Sequence, residues 1–148
     1  GVSICAAGAH FLRIMPEPRH RASVFLAPTI VFKNDRPILT SGSPSIGLIA
    51  NIVQNTVNIL DFGLSIDESV HRPRFGGLSY GVPGTSMIEA DLDEKVRKEV
   101  EARGVRFDVV NPWNFNHGAF EGCYIDPDDG TRYACSDPRR AGQAEAII

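Results

Sequence analysis

Apolar positions along the chain recur with two different periods, which predict a mixture of strands and helices. Two short apolar runs, at residues 30–32 and 38–39, flank a polar turn at 33–36 and predict a β-hairpin. Residues 47–60 carry apolar side chains with a period near 3.6, which predicts an amphipathic helix with its apolar stripe facing the core. The amide-rich side of that helix, with Asn51 and Asn55, is expected to be partly covered.

The second half of the chain predicts shorter elements. Ser65 and Glu68 form a capping-box signature for a short helix that ends near His71, and Asp91 with Glu94 predicts the cap of a third helix. The glycine-rich segment 74–84 is predicted to be a loop. Strands are predicted at residues 87–89, 105–110, 122–125 and 131–135, the last two as a hairpin. This order indicates an α+β fold.

Composition and charge narrow the class of protein. The chain has 148 residues, 43% of them apolar and 22% charged, which is typical of one compact soluble domain spanning residues 1–148. Its net charge of −3 and pI near 5.8 argue against partnership with nucleic acid or an anionic membrane. No apolar run approaches the roughly 20 residues of a membrane span. The first residues lack an initiator Met and a charged leader, so we expect the chain to begin within a longer protein.

Three cysteines predict neither a disulfide framework nor a zinc motif. Cys123 and Cys135 lie twelve residues apart, and His117 does not stand in a paired-ligand spacing with them. Buried or half-buried free thiols are therefore expected, without a metal or a cofactor. Free thiols also favour the cytoplasm, although nothing else in the sequence indicates a compartment.

A glycine-bounded turn between the first hairpin and the first helix, residues 42–47, is the candidate centre of chemistry. Backbone N–H groups at a helix N-terminus can hold a bound anion or a developing oxyanion. The glycine spacing is like that of a phosphate-binding loop, but Leu48 and Ile49 stand where Lys and Ser/Thr are required, which excludes nucleotide binding. Ser43 is a candidate donor to substrate, and the Ser45 side chain is expected to cap the helix.

Several segments, taken in order, resemble the γ-glutamyltranspeptidase family. Pro-Thr-Ile-Val at 28–31 and Gly-Ser-Pro at 42–44 match its P-T-I-V and G-S-P-G-G segments. Asn-Ile-Leu-Asp-Phe-Gly at 58–63, Pro-Arg-Phe at 73–75, Glu-Ala-Arg-Gly at 101–104 and Ser-Asp-Pro-Arg-Arg at 136–140 match later ones. Residues 1–11 also resemble a family stretch. The resemblance covers essentially the whole chain, in the position of the C-terminal part of the small subunit.

This resemblance implies an N-terminal-nucleophile (Ntn) hydrolase with an αββα sandwich, of which this chain is one part. Such a precursor cuts itself into a heterodimer and frees a Thr whose hydroxyl attacks a carbonyl while its own α-amine acts as base. None of the threonines in this chain stands at that position. The resemblance therefore implies that the nucleophile belongs to a segment upstream of Gly1, and that the large subunit or that segment is the partner.

The positions that bind the glutamyl group in the family differ here. The Gln and Asp that hold its α-amino group fall on Ala7 and His10, and the Ser-Ser pair that holds its α-carboxylate falls on Val24 and Phe25. Neither Ala7 nor a neutral His10 replaces an acidic anchor. His10 is thus either a new substrate anchor or an ordinary hydrogen-bonded loop histidine, and both interpretations stay open.

The Gly-Gly of the family's oxyanion turn falls on Ser45 and Ile46, whose backbone N–H groups are the candidate catalytic groups. Together these changes predict a small non-glutamyl acyl substrate and resemble the divergent branch of the family. That branch includes cephalosporin acylases and biosynthetic members that cleave a carbon–carbon bond, so amide hydrolysis, acyl transfer and C–C cleavage all stay open. The alternative is an inactive relative that serves as a binding or assembly module. Arg74, Asp137 and Arg139 are expected to form structural ion pairs at a sheet edge.

Overall fold

The computed structural model describes residues 18–19, 27–79 and 81–145. This part of the chain contains both strands and helices, as the sequence predicts. They are β1 (Thr29–Lys33), β2 (Arg36–Gly42), α1 (Leu48–Leu60), α2 (Ile66–His71), β3 (Phe75–Leu78), β4 (Ser86–Glu89), α3 (Glu94–Glu101), β5 (Phe107–Val110), a 3₁₀ turn (Phe115–His117), β6 (Glu121–Ile125) and β7 (Arg132–Ala134). No helix of the described residues is long and apolar enough to span a bilayer.

The strands form two sheets. One has the order β1-β2-β6-β7 and is antiparallel throughout, with Leu39 opposite Tyr124. The other has the order β3-β4-β5, in which β4 runs antiparallel to β3 and parallel to β5. Both predicted hairpins are confirmed. The first turns through Asn34 and Asp35 at φ 51° and 61°, the left-handed pair that a tight hairpin turn requires.

Helix α1 is confirmed, but its polar and apolar sides are arranged differently from the prediction. Asn51 and Asn55 are buried, at 2% and 0% exposure, and lie on the same inward side as Ile52. Ile49 and Val53 point outward and are 65% and 55% exposed. Because every buried amide needs hydrogen-bond partners, this inversion indicates that the inward side of α1 belongs to a polar network.

The ends of the shorter helices follow from their caps. The capping box of α2 is present, since Ser65 Oγ accepts from the Glu68 amide and Glu68 accepts from the Ser65 amide. For α3, the predicted cap at Asp91 is wrong. Asp93 caps the helix by accepting from the amides of Lys95 and Val96.

The segment predicted as a loop at 74–84 contains strand β3, which is a correction. Phe75 pairs with Ile88 and Leu78 pairs with Ser86, and the register shifts between them. Gly76 and Gly77, at φ 95° and 76°, carry that irregularity, which explains why a glycine-rich sequence still pairs as a strand.

A small apolar core holds the first sheet against α1 and α2. Its buried members are Leu39 from β2, Ile59 from α1, Ile66 and Val70 from α2, and Phe120 before β6. The core therefore fixes β2 and α1, the two elements that flank the candidate turn.

Candidate functional site

The turn at residues 43–47 is held in place by the 3₁₀ turn that precedes β6. The Gly47 amide donates to the Asn116 carbonyl at 3.2 Å, and α1 then begins at Leu48. A Cβ on Gly47 would lie 2.9 Å from His117 Cα, closer than side chains tolerate. Glycine is thus required where the turn meets the 3₁₀ segment, and this contact fixes the position of the α1 N-terminus.

Ser45 does not cap α1, which corrects the prediction for its side chain. Its hydroxyl donates to the Asn116 carbonyl at 3.1 Å, and the N-cap position is taken by Gly47 without a side-chain bond. Ser45 adopts φ 78°, a left-handed conformation that favours glycine, while Ile46 does not. The strain in this turn therefore falls on Ser45.

The amides of Ser45 and Ile46, the two predicted catalytic groups, donate to no acceptor among the described residues. They lie just before the first turn of α1, where the peptide dipoles favour negative charge. Two adjacent N–H groups without a protein acceptor at this position can bind an anion or an oxyanion. The geometry is thus compatible with the role predicted for them.

We expect Ser45→Gly to be more stable than Ser45→Ala by about 1 kcal/mol, because alanine keeps the left-handed strain and glycine removes it. Both variants lack the hydroxyl, so the bond to Asn116 cancels in the comparison. Urea unfolding of the two variants measures the difference. Ser43 has no positive φ, so at that position alanine should be the more stable replacement. Equal stability of the Ser45 pair would contradict the interpretation.

A hydrogen-bonded chain runs from the turn along the inward side of α1. The Asn51 amide donates to Ser43 Oγ at 2.8 Å, and the Asn55 amide donates to Asn51 Oδ1 at 2.7 Å. Ser69 of α2 donates to Asn55 Oδ1 at 2.7 Å. Ser43, a predicted substrate-binding residue, therefore has its hydroxyl engaged by Asn51, and the turn is joined rigidly to the helix behind it.

The chain ends in a cluster of buried ion pairs. Arg74 Nη2 lies 3.0 Å from Asp137 Oδ2, and Arg139 Nη1 lies 3.2 Å from Asp137 Oδ1. Arg139 also pairs with Glu89 at 2.9 and 2.5 Å. The predicted ion pairs are confirmed, but Glu89 was missed, because a carboxylate at the end of a short strand gives no sequence signal of its burial. The four side chains balance two positive and two negative charges.

Burial affects the ionisation of Arg74 in this cluster. It lowers the pKa of Arg74 to about 10, with a further lowering by the neighbouring Arg139 and an opposing effect of Asp137. Arg74 therefore stays charged at neutral pH, and it also donates to the Val70 carbonyl at 3.2 Å. This cluster joins three elements. Its arginines bond to the Val70 carbonyl of α2 and to Glu89 of β4, and Asp137 accepts from the Phe120 amide before β6.

His117 is buried in the 3₁₀ segment beside the turn, and its Nε2 has no hydrogen-bond partner among the described residues. Burial lowers its pKa to about 4, opposed by Glu89 and assisted by Arg139 and Arg74. His117 is therefore neutral at pH 7. Nearby, Trp113 lies beside the Arg139 guanidinium, 4.9 Å from ring centre to Cζ. The 3₁₀ segment contacts the turn through its backbone, because the Asn116 carbonyl accepts from the Gly47 amide and from the Ser45 hydroxyl.

Protonation of His117 is expected to destabilise the fold in mild acid. The unfolded side chain takes up a proton near pH 6.5 and the folded one only near pH 4, so stability is lost as the pH falls through this window. We expect a loss of roughly 1 kcal/mol between pH 6.5 and pH 5 that His117→Leu lacks. Urea unfolding at several pH values measures it. His71→Leu, at an exposed histidine, is the control; the same pH dependence in His117→Leu and in the unaltered protein would contradict the assignment.

An apolar groove of about 730 Å³ runs beside the turn, between the outward side of α1 and strand β3. Ile46, Ile49, Val53, Phe62 and Leu78 contribute to its walls. Ile46 thus presents its side chain to an apolar surface, while its amide donates to no acceptor in the part of the chain that the structure describes. The remaining predicted binding residues, Ala7, His10, Val24 and Phe25, lie outside the described residues.

Comparison with known proteins identifies the family to which the chain is similar. The family model described as gamma-glutamyltranspeptidase matches residues 9–147. The chain is 30% identical over 123 residues to the glutathione hydrolase proenzyme of Escherichia coli K12, an alignment that covers 82% of this chain and 20% of that protein. The chain therefore spans about a fifth of the length of the curated relatives it matches.

Solved structures share the fold. A gamma-glutamyltranspeptidase from Pseudomonas nitroreducens, complexed with L-DON, superposes with a TM-score of 0.71 at 24% identity, covering 90% of this chain and 67% of that chain. A cephalosporin acylase from Bacillus halodurans gives 0.71 at 24% identity, covering 82% and 22%. The fold is thus the α+β arrangement of an Ntn-hydrolase, and this chain is one part of its αββα sandwich.

Proposed function

The chain belongs to the gamma-glutamyltranspeptidase family, and on that basis we propose that the complete protein is an Ntn-hydrolase that acts on a non-glutamyl acyl substrate. In this proposal residues 1–148 form a single domain, the larger part of the small subunit. The nucleophilic Thr belongs to a segment that precedes Gly1. The reaction is amide hydrolysis or acyl transfer, or cleavage of a carbon–carbon bond next to a carbonyl.

The observation that carries the proposal is the pair of amides at Ser45 and Ile46. They donate to no described acceptor and stand at the N-terminus of α1, on a turn that hydrogen bonds fix on both sides. A tetrahedral intermediate needs donors that are already oriented when its negative charge develops. The contact uses backbone atoms alone, so the replacement of Gly-Gly by Ser45 and Ile46 leaves it available.

The substrate class follows from four side chains aligned with the family's glutamyl-binding positions. Ala7, His10, Val24 and Phe25 together offer neither an acidic anchor for an ammonium group nor a hydroxyl pair for a carboxylate. A site that loses its paired polar contacts loses several kcal/mol of recognition, about 10²- to 10⁴-fold in specificity. Val24 and Phe25 favour an apolar or aromatic acyl group instead.

The partner in this proposal is the remainder of the same precursor. The outward side of α1 exposes Ile49 and Val53, and Phe62 and Leu78 extend the same apolar surface with 72% exposure each. A contiguous apolar surface of this kind is typical of a subunit interface. We propose that the large subunit or the upstream segment covers it.

Intact-mass measurement with N-terminal sequencing tests this function on the protein expressed from its complete gene. We expect two fragments, and the one that contains residues 1–148 should begin with Thr upstream of Gly1. Replacement of that Thr by Ala should abolish both the cleavage and the activity. A single uncut chain without such a Thr would instead make the protein an inactive relative that serves as a binding or assembly module.

Substrate preference is measured on the processed protein with three anilides that differ only in the acyl group. Glutaryl and phenylacetyl anilides lack the glutamyl amine, and the γ-glutamyl anilide carries it. We expect the phenylacetyl anilide to be hydrolysed with at least about 100-fold higher kcat/KM than the γ-glutamyl anilide, and the glutaryl anilide, which keeps the carboxylate, to lie between them. Preference for the γ-glutamyl anilide would reject the non-glutamyl substrate while leaving the hydrolase intact.

A further inference from the structure

Three potential metal ligands meet at the surface where α2 approaches the end of β7. Asp67 and His71 lie one turn apart on α2, and Cys135 directly follows β7. One ligand atom from each of the three residues lies within 4.8 Å of the others. The candidate turn at residues 43–47 supplies none of these groups, so this cluster is separate from the proposed catalytic site.

The distances between these ligand atoms are close to those between the ligands of a coordinated zinc ion. His71 Nδ1 lies 3.5 Å from Asp67 Oδ1, and Cys135 Sγ lies 3.2 Å from the same oxygen. Zinc bond lengths place tetrahedral ligands about 3.3–3.6 Å apart. The third distance, between His71 Nδ1 and Cys135 Sγ, is within 4.8 Å, so all three ligand atoms lie near the separations that a bound ion requires.

We propose that Asp67, His71 and Cys135 form a binding site for a divalent transition-metal ion of the zinc class. Thiolate, imidazole and carboxylate are the three ligand types that zinc takes in proteins, and three protein ligands leave a fourth position for water or a small ligand. Magnesium and calcium are disfavoured, because both prefer oxygen ligands alone. The site is assigned from these residues and does not rest on the proposed hydrolase function.

Metal binding releases one proton from this cluster and shifts a second one within the His71 ring. The Cys135 thiol donates to Asp67 Oδ1, and burial together with the Asp67 charge raises its pKa to about 11, so the thiol is protonated at neutral pH. Binding forms the sulfur–metal bond and releases the thiol proton to solvent. Coordination through His71 Nδ1 moves the ring proton to Nε2 and gives up the 2.8 Å hydrogen bond to the Asp67 carbonyl.

Rigid neighbours hold the ligands in place. Asp137, two residues beyond Cys135, is fixed by the buried ion pairs, and Trp113 packs edge-on against the His71 ring at 5.8 Å between centroids. Preorganised ligands on fixed elements bind metal more tightly than ligands on mobile loops. A bound ion would join α2 to the β6–β7 hairpin, which are more than sixty residues apart along the chain.

Cobalt titration of the tag-free protein, expressed from its complete gene, tests the site. Co²⁺ is the probe, because coordination by a thiolate gives an intense sulfur-to-cobalt charge-transfer band and tetrahedral geometry gives strong visible bands. We expect one molar equivalent of Co²⁺ to produce both the charge-transfer band and the visible bands. Added Zn²⁺ should displace the cobalt and remove them. Cys135→Ser and His71→Gln should each weaken binding by about 100-fold, comparable with the largest losses for groups that support a metal site.

Cys123→Ser is the matched control, because Cys123 is an exposed thiol on β6 outside the cluster. This variant should bind cobalt as the unaltered protein does. Circular dichroism of all variants shows whether they fold. The proposal is overturned by an absent thiolate band in the folded unaltered protein, by a band that survives in Cys135→Ser, or by its loss in Cys123→Ser.

Discussion

Replacing Arg139 with methionine is expected to lower the free energy of unfolding by about 3–5 kcal/mol. Arg139 is 4% exposed and pairs with Glu89 and Asp137, while it also donates to the carbonyls of Val70 and Arg72. Methionine keeps much of the volume but leaves two buried carboxylates with Arg74 as their remaining positive neighbour. Removing one partner of a buried ion pair strongly destabilises a fold, because the remaining charge stays buried without a countercharge. Urea unfolding of the protein from its complete gene measures the loss.

Arg140→Met is the matched control for this experiment. Arg140 follows Arg139 in the chain, packs over the Phe115 ring and forms no ion pair among the described residues. We expect its replacement to cost less than about 1 kcal/mol. Adding Glu89→Gln to Arg139→Met should cost less than the sum of the two single changes, because both then remove the same interaction. An equal loss in the Arg139 and Arg140 variants would contradict the role of the buried cluster.

Gly118→Ala is expected to destabilise the fold by about 2–5 kcal/mol and to disturb the candidate turn directly. Gly118 has φ 80°, and a Cβ at this position would overlap the Pro44 carbonyl oxygen and Ser43 Oγ. The turn that carries Ser45 and Ile46 must then move. If the proposed hydrolase activity is present, a displacement of about 1 Å should reduce kcat by about 100-fold.

Gly130→Ala separates the two causes of the loss expected in Gly118→Ala, which are the overlap of the new Cβ with the turn and the left-handed backbone strain. Gly130 lies in the β6–β7 turn at φ 76°, nearly the same conformation, but a Cβ there meets no atom within 4 Å. Its replacement should therefore cost only the left-handed strain, about 1–2 kcal/mol, and leave kcat unchanged. Comparable losses of activity in the two variants would mean that contact with Pro44 and Ser43 is unimportant.

The parts of the fold that were predicted correctly are those with local signals. The capping box at Ser65 and Glu68 and the turn at Asn34 and Asp35 depend on a few neighbouring residues, so their sequence determines them. The segment 74–84 was mistaken for a loop because its glycines indicate a break. Pairing of Phe75 with Ile88 on β4 overrides that local preference, and no local pattern reports such pairing.

The residues of the candidate site likewise divide into those with a local sequence signal and those whose environment depends on distant elements. The Gly-Ser-Pro turn and its family resemblance could be found from the sequence, since they are continuous. The burial of Asn51 and Asn55 could not, because their hydrogen bonds reach Ser43 and Ser69 from other elements. The grouping of His71 with Cys135 was also out of reach, since only the packing of α2 against β7 brings them together. The prediction for Cys123 was wrong, because this thiol was expected to be buried or half-buried and is exposed on β6.

The buried ion pairs also have a consequence for the timing of folding during translation. Arg74 is synthesised 63 residues before Asp137, a delay of roughly 3–13 s at ordinary elongation rates. Until Asp137 leaves the ribosome, Glu89 is the one carboxylate of this cluster that can offset the buried charge of Arg74. We therefore expect the segment from α1 to β4 to complete its packing only after Asp137 has been synthesised.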